Sequence, residues 1–334
     1  MSKIFITGMS AQHASPSSNQ KNLNFAGVVS SVLEASGHEV TWASPSVYMT
    51  KESLDAYDVV LVGVCPITSV GANRVYGALS VISLLWGSNK LRLFVDGPSQ
   101  SQIEVSLKSS LSNPQSIVKS FFSYRKEYSN VSSDLDIQSR IMNGIELLLN
   151  EDWVTTIVPS LPWTQFEHIK LSKNAKSNLE LVNLDAHLII NQPTSNEKAE
   201  KWCVDSYSSK WSKSVVSSLT LPHSPMKWSK GWTDEQVMSQ VSRSVGAIIS
   251  PDQRDGTWWS YRYIQALNSN TPIVTDWKDS QSLGFEWTIL ASSIESMSQQ
   301  KKDLLATAQK ELYVASIDSK KKSTDKLKNI LGVK

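Results

Sequence analysis

Asp96 is the side chain best suited to take a proton from a substrate. It closes the apolar run Leu91-Arg92-Leu93-Phe94-Val95 and is followed by Gly97-Pro98. Gly-Pro turns the chain away from the strand, so the carboxylate is expected at the carboxyl edge of a sheet. Burial there would raise its pKa toward the range of a general base for a hydroxyl. The plainer alternative is a turn aspartate bonding its own backbone. His13, in the polar loop after the first strand, is the rival base; a lone loop histidine is more often simply solvated. Arg262 is the cation suited to an anionic group. It lies near the start of a helix that follows a short apolar strand, where the guanidinium and the free N–H groups of the first turn both suit a diphosphate. Trp258, Arg262 and Gln265 share one helical stripe at i, i+4 and i+7, and Trp259, Tyr263 and Ala266 lie on a neighbouring one. An arginine on a solvated face is the alternative. Asp134-Leu135-Asp136 has the form of a metal-binding DxD, but two serines precede it and a helix follows, so helix capping explains it.

The elements that must position these residues alternate strand and helix. In the first half, Lys3–Thr7, Glu39–Ala43, Asp58–Val64 and Leu91–Val95 are strands. A helix ends at Gly37, and Val70–Leu85 is helix-compatible. Phe121–Tyr128 is ambiguous, Ile137–Leu149 is helical, and Trp153–Val158 is a strand. Pro159–Gln165, with two prolines, reads as a linker. Beyond it Ala186–Ile190 and Val215–Leu219 are expected as strands, with a charged helix near Glu197–Tyr207 and another over Asp234–Ser244. Then comes a βαβ unit: strand Val245–Ser250, loop Pro251–Gly256, helix Thr257–Asn268, strand Pro272–Thr275. Its two strands should be parallel. Ser293–Leu312 is a helix, and Ser319–Lys334 is a basic helix suited to packing back on the first half. The fold class expected is α/β, with two Rossmann-like domains facing a central cleft. Nucleotide-sugar transferases, two-domain dehydrogenases and periplasmic-type binding proteins all use that design.

The bulk numbers agree with a soluble enzyme or binding protein. A length of 334 residues suggests about two domains, and 40% hydrophobic with 19% charged residues is enough for ordinary cores. A formal charge of +2 leaves any polyanion surface to local patches. The two cysteines, Cys65 and Cys203, make no disulfide framework, which fits a reducing compartment. The apolar run after Lys3 is too short for a signal peptide or membrane span, so a cytoplasmic protein with no membrane partner is expected. Several of the twelve tryptophans stand in polar company and would suit stackable groups if exposed. No GxGxxG follows the first strand, no GxxxxGK[ST] occurs, and no His/Cys cluster has zinc spacing.

On these residues the chain resembles the phage DNA β-glucosyltransferase family, which transfers glucose from UDP-glucose to 5-hydroxymethylcytosine in duplex DNA. Leu91–Asp96 resembles that family's strand ending in the catalytic aspartate. Gly231 to Gln265 resembles its donor half, with an Ala-Ile-Ile strand and a helix carrying an arginine and then, three residues on, an acidic residue. Met226-Lys227-Trp228-Ser229-Lys230 resembles a Trp-Thr-Lys segment, and Pro16-Ser17-Ser18 resembles the Pro-Ser-Ser before the first helix. Length and element order agree along almost the whole chain. Three positions depart. Asn191–Asn196, with Lys198 and Lys201, replaces a Gly-Gly-Ser-Phe-Arg-type diphosphate loop. Asn19 replaces a glutamate after Pro-Ser-Ser. Gln265 replaces the acidic residue that takes the ribose hydroxyls. These departures leave open a sugar other than glucose and another hydroxymethylated pyrimidine.

The resemblance implies a GT-B type glycosyltransferase with an inverting mechanism and a flipped target base. Residues 1–165 would form the acceptor domain, with a helix at 315–334 packing back on it, and residues 166–314 the donor domain. Asp96 would be the catalytic base. Arg262, Gln265, Trp258, Gly231 and Gln192 would hold a nucleotide-sugar donor, UDP-glucose or another UDP-sugar. Ser10, His13, Asn19, Arg125, Lys126, Lys227 and Lys230 would face duplex DNA with modified pyrimidines. No metal ligand is expected, a divalent metal being at most a stimulant. A monomer is expected, in the host cytoplasm if the chain is phage-encoded. Two other functions fit the same fold: a transferase with a small-molecule or glycan acceptor, and a non-enzymatic nucleotide- or sugar-binding protein.

Overall fold

The computed structural model describes residues 1–8, 25–43, 49–64, 81–82, 84–95, 152–159, 178–190, 200–204, 210–225, 234–249, 261–275 and 291–334. Everything below concerns these residues. In chain order the first half contains β1 (Lys3–Gly8), α1 (Phe25–Ala35), β2 (Glu39–Trp42), α2 (Lys51–Asp55), β3 (Val59–Val64), β4 (Leu91–Val95), β5 (Thr155–Pro159) and β6 (Asn178–Val182). The second half contains β7 (Trp202–Val204), α3 (Lys210–Ser217), β8 (His223–Pro225), α4 (Asp234–Ser242), β9 (Ala247–Ile248), α5 (Tyr261–Asn268), β10 (Ile273–Val274), α6 (Ala291–Glu295), α7 (Gln299–Ser316) and α8 (Lys320–Leu331).

Two sheets result, and every pairing between their strands is parallel. The first has the order β2-β1-β3-β4-β5-β6, the second β10-β9-β7-β8. Parallel strands are buried on both faces, which is why β3 reads as an apolar run throughout and β1 and β4 as largely apolar, with Lys3 and Thr7 in the one and Arg92 in the other. Ile4, Ile6, Leu61 and Phe94 pack beneath α1 on one face; Phe5, Val60, Val62 and Leu93 join Leu54 of α2 on the other. Gly37, at φ +82, ends α1 in a left-handed turn that L side chains avoid. The expected βαβ unit is present, with Ala247 opposite Ile273 and Ile248 opposite Val274. No described helix is long and apolar enough to cross a membrane.

Several elements differ from the sequence reading. Asp185–His187 is a turn of 3-10 helix where Ala186–Ile190 reads as a strand, because Asp185 is fully buried and fixed by polar bonds rather than by a ladder. The charged stretch expected as helix contains β7, whose Trp202, Cys203 and Val204 are all buried; three apolar residues behind a polar run are too few to show a period. Val215 and Val216, expected in a strand, lie in α3 as its half-buried pair, with Lys213, Ser214 and Ser217 exposed. β6 is the edge strand of the first sheet, which therefore extends to Val182, beyond the proline-rich stretch read as a linker. Ile137–Leu149 and Phe121–Tyr128 lie outside the described residues, as does almost all of Val70–Leu85.

α8 packs against β6 and α1. Ser319 caps it, accepting from Lys322 N at 3.3 Å. Gly332, at φ +70, closes it, with Val333 N donating to Lys328 O at 3.0 Å. Leu327 and Leu331 are buried in the same cluster as Ile4 and Leu61. Arg92 Nε, at the start of β4, donates to Ile330 O at 3.2 Å.

Candidate functional site

Both sheets are wound about a reversal of strand order. In the first, the chain starts at β1, adds β2 on one side, then β3 and β4 on the other. In the second, it starts at β7, adds β8 on one side, then β9 and β10 on the other. The crevice outside the carboxyl ends of the strands at such a reversal is where doubly wound sheets bind ligands. In this chain those points are β1/β3 and β7/β9.

At the first reversal the strand ends are level. Gly8 lies opposite Gly63, Gly63 opposite Phe94, and Val64 opposite Val95. Thr7 is buried and donates through Oγ1 to Ala43 O at 3.0 Å, tying the end of β1 to the end of β2. In sequence Asp96 is the next residue after Val95, and Ser10, His13 and Asn19 follow Gly8, the last residue of β1. Those four residues lie outside the described part, as do Arg125, Lys126, Gln192, Lys227, Lys230, Gly231, Trp258 and the pair Asp134 and Asp136.

At the second reversal β9 leads towards α5. Gly246, before β9, faces Trp202: a Cβ there would come within 2.4 Å of its Cζ3, so only glycine lets the indole lie against the strand. α5 is a core helix. Tyr263, Ile264, Gln265 and Ala266 are fully buried, and Tyr263 OH meets Thr275 Oγ1 at 2.6 Å just past β10. Asn268 donates from Nδ2 to Leu188 O at 2.8 Å and accepts from Ile190 N at 3.0 Å. These bonds fix the rotation of α5 and so where its first turn points. Arg262 is in that first turn, and its side chain is not among those described. Gln265, read as facing the same ligand, is inside the core.

Sequence reasoning missed the groups that hold this half in place. Tyr313 OH donates to Asp185 Oδ2 at 2.6 Å, and Asn183 Nδ2 donates to the same oxygen at 3.1 Å. Burial, the Asp185 charge and that hydrogen bond push the Tyr313 phenol well above its usual range, so it stays a donor. Gln309 on α7 accepts from Ile273 N and donates to Ile273 O, both at 2.8 Å, so one side chain takes up both backbone groups on the edge strand β10. Burial pushes the Glu295 carboxyl up, but hydrogen bonds from Thr220 Oγ1 (2.6 Å), Leu221 N, Thr220 N and Trp202 Nε1 (2.8 Å) outweigh it and hold it below the usual range. Isolated polar residues of this kind have no periodic signal. Among the described residues no group of three or more His, Cys, Asp or Glu side chains could hold a metal ion.

No family model matches the chain, and no curated protein does. Among solved structures it is similar to the glycotransferase of kitacinnamycin, at 11% identity and a TM-score of 0.43, with 98% of each chain covered. It is also similar to an alpha1,3-fucosyltransferase, at 12% identity and a TM-score of 0.36, covering 99% of this chain and 90% of that one. Likeness of this size leaves the chemistry to be argued from this chain's own residues.

Proposed function

We propose that this chain is a GT-B type glycosyltransferase that moves a sugar from a nucleotide-sugar donor, UDP-glucose or another UDP-sugar, to a hydroxymethylated pyrimidine in duplex DNA. One observation carries the reading. Two parallel sheets share one winding order; the candidate base directly follows a strand beside the reversal in the first, and the candidate diphosphate arginine opens the helix after β9 at the reversal in the second. The residue resemblance adds the chemistry.

In this reading the first sheet is the acceptor half, the second is the donor half, and α8 ties the chain's end to the first. Asp96 takes the proton of the acceptor hydroxyl as that oxygen attacks the anomeric carbon. The bond from that carbon to the diphosphate oxygen breaks in the same displacement, which inverts the configuration. Arg262 neutralises the charge gathering on the leaving nucleoside diphosphate, an electrostatic task that is commonly the largest single contribution in such sites. A base paired inside a duplex must be flipped out to reach the donor. Arg125, Lys126, Lys227 and Lys230 are assigned to phosphate contacts, and the protein acts as a cytoplasmic monomer. The test is incubation with a panel of nucleotide sugars and modified duplexes, read by nucleoside mass spectrometry. A glycosylated nucleoside supports the reading. Donor turnover only with a small acceptor moves the acceptor away from DNA, and donor binding without any transfer leaves a binding protein.

A further inference from the structure

α8 runs against the strands of the first sheet. Near its start Ser323 Oγ meets His187 Nε2 at 3.2 Å, just beyond the carboxyl end of β6, while at its end Ile330 O meets Arg92 at the start of β4. Its lysine-rich first turns therefore lie at the carboxyl edge, the side on which the acceptor is expected. Along it an open groove of about 680 Å³ is lined by Glu180 of β6 and by Ser319, Lys321, Lys322, Asp325, Lys326, Asn329 and the half-buried Ile330. Lys322 pairs with Asp318 at 2.6 Å, but among the described residues no carboxylate lies within ion-pair distance of Lys321 or Lys326. Lys321 and Lys322 are exposed and Lys326 half-exposed.

We infer that this face of α8 is a track for the backbone of the acceptor DNA, outside the cleft where transfer occurs. The inference rests on the DNA-acceptor reading above and adds a second binding region to it. Charge complementarity argues for it: Lys321 and Lys326, the two with no described carboxylate in reach, are five residues apart, about 7.5 Å along the axis, a span of about two phosphates of one strand at about 3.4 Å each. The described large apolar side chains exposed to solvent are Met1, Ile190, Leu304 and Val314, and none is on α8. A protein partner or a membrane surface would want such anchors; a phosphate backbone does not. Glu180 and Asp325 oppose phosphate on the same groove, which makes them controls of opposite sign.

The test is binding of a short hydroxymethylated duplex across a salt series by fluorescence anisotropy. In the triple variant Lys321→Gln, Lys322→Gln, Lys326→Gln, affinity should fall and the slope of log K against log salt should flatten by about 0.9 for each phosphate that is no longer neutralised. Glu180→Gln should tighten binding. The matching Lys→Arg triple keeps the charge and should retain the wild-type slope, which separates lost charge from a damaged helix. A Gln triple with unchanged affinity and slope, in a protein that does bind DNA, overturns this inference alone. A wild-type protein with no DNA affinity at low salt overturns the DNA-acceptor reading, and this inference with it.

Discussion

In the first sheet β1, β3 and β4 pair over five residues at a time; in the second, β9 and β10 pair over two. The winding order is the same, so what differs is how a given topology is held. The long ladders of the first sheet lie in two aliphatic layers, where burial does the stabilising at about 25 cal/mol per Å² of apolar surface. The short ladders of the second leave backbone groups that side chains must satisfy. Gln309 does this for Ile273 on β10. Polar side chains also bond backbone outside the ladders: Asn268 holds Leu188 and Ile190, Thr271 Oγ1 donates to Val241 O at 2.9 Å, and Ser269 Oγ donates to Gln265 O at 2.7 Å. One half should resist single polar changes and the other should not. Under the proposed function the division is also chemical, with proton transfer in the first half and charge neutralisation in the second.

The largest expected effect tests that chemical division. Asp96→Asn keeps size and removes basicity, so single-turnover transfer at saturating donor should fall about 10²–10⁴-fold while donor affinity survives. His13→Ala should cost far less, because a loop histidine has no strand behind it to set its position. If Asp96→Asn stays within a few-fold of the parent and His13→Ala is inactive, the base is His13 and the acceptor enters beside the first loop.

Arg262→Ala is the counterpart in the second half. Loss of hydrogen bonds to a charged diphosphate should weaken donor binding by about 1.5–3 kcal/mol. Calorimetry that finds the donor affinity unchanged would remove Arg262 from the site. A smaller effect separates the two ways of holding a sheet. Gln309→Leu keeps apolar bulk but leaves Ile273 N and O unpaired on a buried edge, which should cost about 1–3 kcal/mol and open the Ile273 amide to hydrogen exchange. Exchange at Ile273 as slow as in the parent would show that the edge of β10 has another partner.

How much of this was legible in the sequence follows from the same contrast. β1, β3, β4, α1 and the βαβ unit all carry an apolar run or a helical period, and all are where the residues predicted them. β7 and α3 were misread and the turn at Asp185–His187 was missed, because their positions come from contacts distant in sequence. Asp185 is met by Tyr313, 128 residues on, and Trp202 is held by Glu295, 93 residues on. Strands of two or three residues give periodicity nothing to repeat. The candidate site rests on residue types alone, Asp96 after a strand and Arg262 near a helix start, and Asp96 lies outside the described residues. That Gln265 is buried was not legible, since a stripe at i and i+7 says which residues share a face and not which face is covered.

The smallest expected effect is in the response to acid, where the two halves should yield in different windows. His38, in the turn before β2, is buried, and burial, Lys328 and the N-terminal amine lower its pKa from the ordinary 6.5. His187 is lowered from the same value by burial and by Lys320, against a hydrogen bond with the Lys320 backbone that raises it. Above about pH 7.5, a unit over the ordinary value, both are neutral whether folded or unfolded and contribute no pH dependence. As pH falls below that value the unfolded chain takes up these protons more readily than the folded one, so stability is lost progressively down through the folded pKa values. Glu295 titrates lower. Its folded pKa is depressed from 4.5, so its contribution is complete above that value and is lost as pH falls below it. Hydrogen exchange corrected for intrinsic rate should therefore show protection around β1 and β2 declining between pH 7.5 and 5.5, while protection around β7 holds until the pH passes below about 4.5. His38→Gln combined with His187→Gln should flatten the first decline and leave the second in place. Protection that falls in both sheets together across the upper window, in parent and variant alike, would trace the acid response to some other group and remove the histidines as its source.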